Sequence, residues 1–168
     1  PGRAPGNHAA QEIRRLMRHK DSPPIRILIA DDHPVFRHGL RQLLEAESGL
    51  EVVGEAADGV EAVELVQRLK PDILLLDLAM PRLPGIEALS ELAGASTPVR
   101  TIVLTAAIET PQIVEALQLG ARGVVLKHSA SELLLKCIRT VMEGQYWVGR
   151  DTVSDLVHSL RSLVPSHG

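Results

Sequence analysis

The sequence predicts an α/β domain in which helices cover both faces of a parallel sheet. Three observations carry this. Short aliphatic runs alternate with segments of helical period from Ile25 onwards. Several of the runs are apolar throughout, as strands buried on both faces must be. Aromatics are limited to Phe36, Tyr146 and Trp147, so Leu, Val, Ile and Ala must build the core.

The elements follow in order. Residues 1–24 are rich in Gly and Pro and then basic, and read as a solvated extension in which "QEIRRLMRH" can form a short helix ended by "DSPP". "IRILIA" is the first strand. "HPVFRHGLRQLLEAE" places Val35, Phe36, Leu40, Leu43 and Leu44 at helical spacing. "LEVVGEA" is the second strand. "DGVEAVELVQRLK" is a helix capped by Asp58, with Val60, Val63, Leu65 and Val66 on its apolar side. "PDILLLDLAMP" is a strand apolar up to Asp77, and "PGIEALSELAG" a helix closed by glycine. "RTIVLTA" is a strand, and "TPQIVEALQLGA" a helix with Thr110 as cap and Pro111 in its first turn. "RGVVLK" is a short strand. "SASELLLKCIRTVMEG" is the last core helix, with Ser131 as a candidate cap and Cys137 on its apolar face as a small core residue.

Five strands thus alternate with five helices. Right-handed crossovers leave few topologies, and the expected one is flavodoxin-like with strand order 2-1-3-4-5. The domain spans residues 25–149. Residues 150–168 form a further amphipathic segment carrying Val153, Leu156, Val157, Leu160 and Val164, with a possible role in self-association. The net charge of −3 gives no general reason to bind nucleic acid or an anionic membrane. No apolar run reaches membrane-spanning length and no signal peptide is visible. The single Cys137 excludes an internal disulfide and fits a reducing, cytoplasmic compartment.

In such sheets the functional crevice lies at the carboxyl ends of the strands. The first strand ends in Asp31-Asp32, the third in Asp77, the fourth in Thr105 and the fifth in Lys127. The second ends in Glu55, outside this group. Adjacent carboxylates repel and are costly to desolvate, so the cluster calls for a cation. A small hard cation such as Mg2+ accepts a few carboxylates, several waters and a phosphate oxygen. With a metal and a lysine to neutralise charge, a carboxylate can act as nucleophile in phosphoryl transfer. His33 and His128 flank the group and read as solvated histidines.

"LIADDHPVFRHGL", "DILLLDLAMPRLPGIEAL", "IVLTA" and "GARGVVLKHS" resemble the signature segments of response-regulator receiver domains of two-component signalling, and "DDHP" resembles the NarL/FixJ (LuxR-type) subfamily. The resemblance covers Ile25 to Val148. It implies that Asp77 is the phosphoacceptor, taking a phosphoryl group from a sensor histidine kinase. It implies that Asp31, Asp32, Asp77 and the backbone carbonyl of Ala79 hold Mg2+ or Mn2+. Thr105 would be the switch hydroxyl and Lys127 the partner of the acyl phosphate. The Lys127–His128 peptide becomes a candidate cis bond, although the usual proline is absent. Val124 stands where the family often has a mobile aromatic. Ala79 and Ala107 offer no polar group to assist hydrolysis of the acyl phosphate. The resemblance also implies a signalling module rather than an enzyme. DNA would be reached only through an output domain that this sequence does not contain, so the chain reads as a receiver cut from a transcription regulator or as a stand-alone receiver. A pseudo-receiver that acts by protein binding is the alternative. A phosphohydrolase would want an acid where Ala79 stands, and a nucleotide- or flavin-binding domain would want glycines where "DDHP" stands.

Overall fold

The computed structural model describes residues 8–14, 22–107 and 109–149, together with positions 153, 154, 157, 158 and 161. Its strands are β1 (Ile25–Ala30), β2 (Leu50–Ala56), β3 (Ile73–Asp77), β4 (Arg100–Thr105), β5 (Gly123–Leu126) and β6 (Trp147–Val148). Its helices are α1 (Pro34–Glu45), α2 (Gly59–Leu69), α3 (Gly85–Gly94), α4 (Thr110–Gln118) and α5 (Ala130–Met142), and a 3-10 turn spans Lys127–Ser129. The sheet order is β2-β1-β3-β4-β5-β6, with every pair parallel. The expected flavodoxin-like order is therefore present, extended by one two-residue strand beside β5.

Alternation along the strands divides the core into two layers. Leu28, Leu74, Leu76, Val103 and Val124 face Ala62, Val66, Leu89, Leu92, Ile113 and Ala116 of α2, α3 and α4. Ile27, Ile29, Ile73, Leu75, Ile102 and Val125 face Leu40, Leu44, Leu134, Ile138 and Val141 of α1 and α5. Strands covered on both faces have no polar side to show, hence the unbroken aliphatic runs. Arg26, the one charge within β1, turns its guanidinium to the carbonyls of Leu69 (2.7 Å) and Lys70 (3.1 Å) at the end of α2. It caps a helix end that would otherwise leave carbonyls unpaired.

Several local expectations need correction. Val35 is 87% and Val60 45% exposed, so neither joins the core. Each sits in its helix's first turn, on the solvent side, while Ala62 fills the buried position in α2. The cap of α4 is Glu109, with Thr110 already helical, and that of α5 is Ser129, with Ser131 inside the first turn. Gly94 is the last residue of α3 rather than the residue that stops it. Asp58 does cap α2, accepting from the Glu61 N–H (2.9 Å). No cis peptide is present among the described residues, so the Lys127–His128 bond is trans. The sixth strand was not foreseen because two residues carry no periodicity. Trp147 N–H donates to the Arg122 carbonyl (2.9 Å), and the ammonium of Lys136 lies 5.7 Å from the Trp147 ring centre. In β2 the register slips, with Ile27 opposite Val52 and Leu28 opposite Gly54, which leaves Val53 as a bulge.

Residues 8–14 are helical and exposed, and the rest of the expected N-terminal helix lies outside the described residues. The same holds for Leu156, Leu160 and Val164, while Val153 and Val157 are exposed. Among the described residues no helix is long and apolar enough to cross a membrane.

Two predictions follow from this packing. A Cβ on Gly59 would lie 2.0 Å from the Leu83 carbonyl oxygen, whereas one on Gly39 would meet nothing within 4 Å. Gly59→Ala is expected to cost about 1–3 kcal/mol in urea unfolding through forced backbone movement. Gly39→Ala, in the open middle of α1, is expected to stabilise by roughly 0.5–1 kcal/mol. Burial pushes the Cys137 thiol up to about 12. The unfolded thiol ionises near ~8.5, so above that pH the unfolded chain loses a proton that the folded chain keeps. Stability should therefore fall between those two values, and Cys137→Ala should flatten that alkaline decline in melts taken against pH.

Candidate functional site

Parallel strands deliver all their carboxyl ends to one rim, and the expected residues meet there. Asp77 is the last residue of β3 and continues the Ile73, Leu75 row toward α1 and α5. Asp31 follows β1, Thr105 ends β4, and Lys127 opens the turn after β5. Asp31, Asp77 and Thr105 are buried.

Lys127 is the counter-charge. Its Nζ lies 2.7 Å from Asp31 Oδ2 and 3.1 Å from Asp77 Oδ2. Burial lowers its affinity for a proton and is the largest single influence, but hydrogen bonds and attraction from Asp31 and Asp77 outweigh it and hold the ammonium above its ordinary pKa. The Phe36 ring centre is 4.8 Å from the same nitrogen, so the ammonium is cradled between two carboxylates and an aromatic ring. Asp77 Oδ1 accepts the Ala79 N–H (3.0 Å), which fixes the carboxylate against the turn after β3.

That turn is itself anchored. A Cβ on Gly85 would lie 2.5 Å from the Asp77 carbonyl oxygen, so α3 starts hard against the end of β3. Arg82 in the turn reaches Asp58 Oδ2 at 3.1 Å, tying the turn to the start of α2.

Asp31, Asp32, His33 and Asp77 bring one ligand atom each within 4.8 Å of one another. Asp32 Oδ1 is buried and makes no hydrogen bond among the described residues, and buried Asp31 Oδ2 has only the Lys127 ammonium beside it, at 2.7 Å. Buried carboxylate oxygens this short of donors, gathered at this spacing, are the hard donor set that Mg2+ or Mn2+ accepts. The chemistry of the rim fits such an ion.

Thr105 departs from the group. Its hydroxyl donates to the Ala107 carbonyl (2.6 Å), and it continues the row of Val103, which faces α2–α4 rather than α1 and α5. Glu55 lies outside, as expected, paired with Arg37 and Arg41. His128 is exposed and lies outside the acidic group.

One residue at the rim escaped sequence reasoning. Arg37 donates from Nη1 to the Asp31 carbonyl (2.6 Å) and from Nε to Glu55 (3.2 Å), so it pins the first acidic residue to β2. The only sequence signal was its place one turn into α1. His33, read as solvated, turns Nδ1 toward Asp31 Oδ1 (3.1 Å) and Asp32 Oδ1 (3.2 Å). Its side chain is 62% exposed, as the solvated reading expects, while Nδ1 still meets the acidic pair beside it in sequence.

The chain is similar to known proteins. The chain is 40% identical over 124 residues to the nitrate/nitrite response regulator protein NarP of Escherichia coli, covering 74% of this chain and 58% of that protein. It is 39% identical over 139 residues to the oxygen regulatory protein NreC of Staphylococcus aureus, covering 82% of this chain and 64% of that one. It therefore spans about six-tenths of the length of the curated relatives it matches. Among solved structures, a LuxR-family two-component response regulator from Aurantimonas superposes with a TM-score of 0.76 at 32% identity, covering 82% of this chain and 98% of that one. The signal receiver domain of NarL from Mycobacterium tuberculosis gives 0.71 at 34% identity, covering 74% and 100%. The family model described as the response regulator receiver domain matches residues 27–139. That span holds the acidic pair, Asp77, Thr105 and Lys127 alike, and the chain belongs to the response regulator receiver domain family, in its NarL/FixJ branch.

Proposed function

We propose that Asp77 accepts a phosphoryl group from the phosphohistidine of a sensor histidine kinase, and that the resulting aspartyl phosphate shifts the domain between two conformations. The observation that carries this is the buried Asp77 carboxylate, held on one oxygen by Lys127 (3.1 Å) and on the other by the Ala79 N–H (3.0 Å). A carboxylate oxygen of Asp77 attacks phosphorus, a P–O bond forms, and the P–N bond to the donor imidazole breaks with its electrons returning to the ring.

Asp31, Asp32, Asp77 and the Ala79 carbonyl are the protein's ligands for Mg2+ or Mn2+ in this reading. The ion, when bound, supplies positive charge that offsets the phosphoryl oxygens. Lys127 already lies within reach of Asp77 and moves from pairing carboxylates to pairing the acyl phosphate. Arg37 and the Ala79 N–H orient the acidic groups. Thr105 exchanges its bond to the Ala107 carbonyl for one to a phosphoryl oxygen, which reorganises the loop leading to α4. The bias toward the second conformation equals the difference in these contacts between the two states. Val124 packs in the layer facing α4 and has no large rotamer swing, so the response runs through Thr105 and its loop. With Ala79 and Ala107 beside the site, no polar side chain at those positions assists water in attacking the acyl phosphate.

We further propose that the domain serves a transcription regulator. The response regulator RcsB, whose structure with DNA superposes with a TM-score of 0.75, supports that reading by analogy.

Incubation with acetyl phosphate should add one phosphoryl group in intact-mass spectra, only with magnesium present and not in Asp77→Ala. A gain independent of Asp77 would sink the assignment. No gain in the wild type would favour a pseudo-receiver that works by protein binding. Thr105→Val should still be phosphorylated at a rate within roughly threefold of wild type, because Thr105 makes no bond to the nucleophile before transfer. It should lose about 0.5–1.5 kcal/mol of stability with the Ala107 bond. It should also lose the phosphorylation-dependent change in hydrogen exchange around 105–110; retention of that change would remove Thr105 from the switch.

A further inference from the structure

His33 Nδ1 stands in a contradictory environment. It lies 3.1 Å from Asp31 Oδ1, 3.2 Å from Asp32 Oδ1 and 3.8 Å from Asp77 Oδ2, all acceptors. It also lies 3.2 Å from Lys127 Nζ, which can only donate. One imidazole nitrogen is either donor or acceptor, so each tautomer leaves at least one repulsive contact. A proton on Nδ1 opposes the lysine, and a lone pair there opposes three carboxylates. A divalent cation held by Nδ1 and the carboxylates gives each of their lone pairs a positive partner, and leaves Lys127 to pair with the carboxylate oxygens turned away from the ion.

The spacing agrees with shared ligation. Around an octahedral ion with bonds of about 2.1 Å, neighbouring ligand atoms lie about 3.0 Å apart. Nδ1 meets that separation with both members of the acidic pair, at 3.1 and 3.2 Å. The backbone delivers the ring to this place. The His33 N–H donates to Asp31 Oδ1 (2.7 Å), and Pro34 begins α1 immediately after it. Asp31 beneath it is fully buried.

We propose that His33 is a nitrogen ligand of the receiver's divalent cation through Nδ1, which makes this site favour ions with greater affinity for nitrogen, such as Co2+, over Mg2+. This rests on Asp31, Asp32 and Asp77 being metal ligands. Carboxylate and carbonyl oxygens alone suit Mg2+, whereas imidazole raises affinity along the series toward Co2+. His33 is therefore a specificity-determining residue of the cation site.

The test uses the full chain without any phosphodonor. Bound Mn2+ is followed by electron paramagnetic resonance, with pulsed detection of directly coordinated nitrogen, and Mg2+ and Co2+ affinities are taken by calorimetry. The wild type should show nitrogen coupling to Mn2+. His33→Gln should lose that coupling and lose roughly tenfold in Co2+ affinity, while Mg2+ affinity changes by less than about threefold. Asp32→Asn should weaken all three ions. Mn2+ that binds the wild type without nitrogen coupling, coupling that persists in His33→Gln, or an equal change for Mg2+ and Co2+ would each overturn the role of His33 and leave the acidic site intact. A wild type that binds none of the ions would overturn the metal-ligand reading and the inference together.

Discussion

Bringing three carboxylates to one rim is the constraint on which the other features of the site depend. Each would repel the others in water, and the repulsion grows as the surroundings become less polar. Lys127 meets part of that charge from the end of β5, with β3 and β4 lying between that strand and the one that delivers Asp31. The parallel sheet makes this possible, because only parallel strands send every carboxyl end to one side. The helices contribute by burying the strands so completely that their ends are held in place. Gly85 and Gly59, where no Cβ fits, bring α3 and the turn after β3 close enough to keep Asp77 from drifting away from its counter-charge.

The rim is also divided by the pleat. Asp77 continues a row facing α1 and α5, and Thr105 a row facing α2, α3 and α4. Chemistry on the first side is thus separated by the thickness of a strand from the residue suited to report it on the second. Thr105 already spends its hydroxyl on its own loop, so any new bond it forms must dismantle an existing one. In the proposed function that exchange separates two discrete arrangements rather than a graded series. The Arg37 bond to the Asp31 carbonyl works in the opposite sense and keeps the acidic pair still.

Much of this was legible in the residues. Strand order, the convergence of Asp31, Asp32, Asp77 and Lys127, and the Asp58 cap follow from periodicity and turn chemistry. Val35 and Val60 misled because helical spacing alone does not say which side of a first turn faces solvent. Ser131 and Thr110 misled because good capping residues were present near the ends, while Ser129 and Glu109 take those places without any side-chain bond. Arg37 was missed for a different reason. It ties the Asp31 carbonyl to Glu55 of β2, and sequence spacing contains no trace of that distance.

The two irregular borders of the sheet carry a consequence of another kind. One border strand, β2, is interrupted by the Val53 bulge, and the other, β6, is only two residues long. A long, flat, unpaired strand would present a row of amides on which a neighbouring molecule could build more sheet. Here the bulge breaks one such row and brevity limits the other. The aliphatic strands that would aggregate most readily lie between them, with both flanks already taken. The same borders that make the sheet look imperfect therefore keep a core made almost wholly of Leu, Ile and Val from recruiting copies of itself.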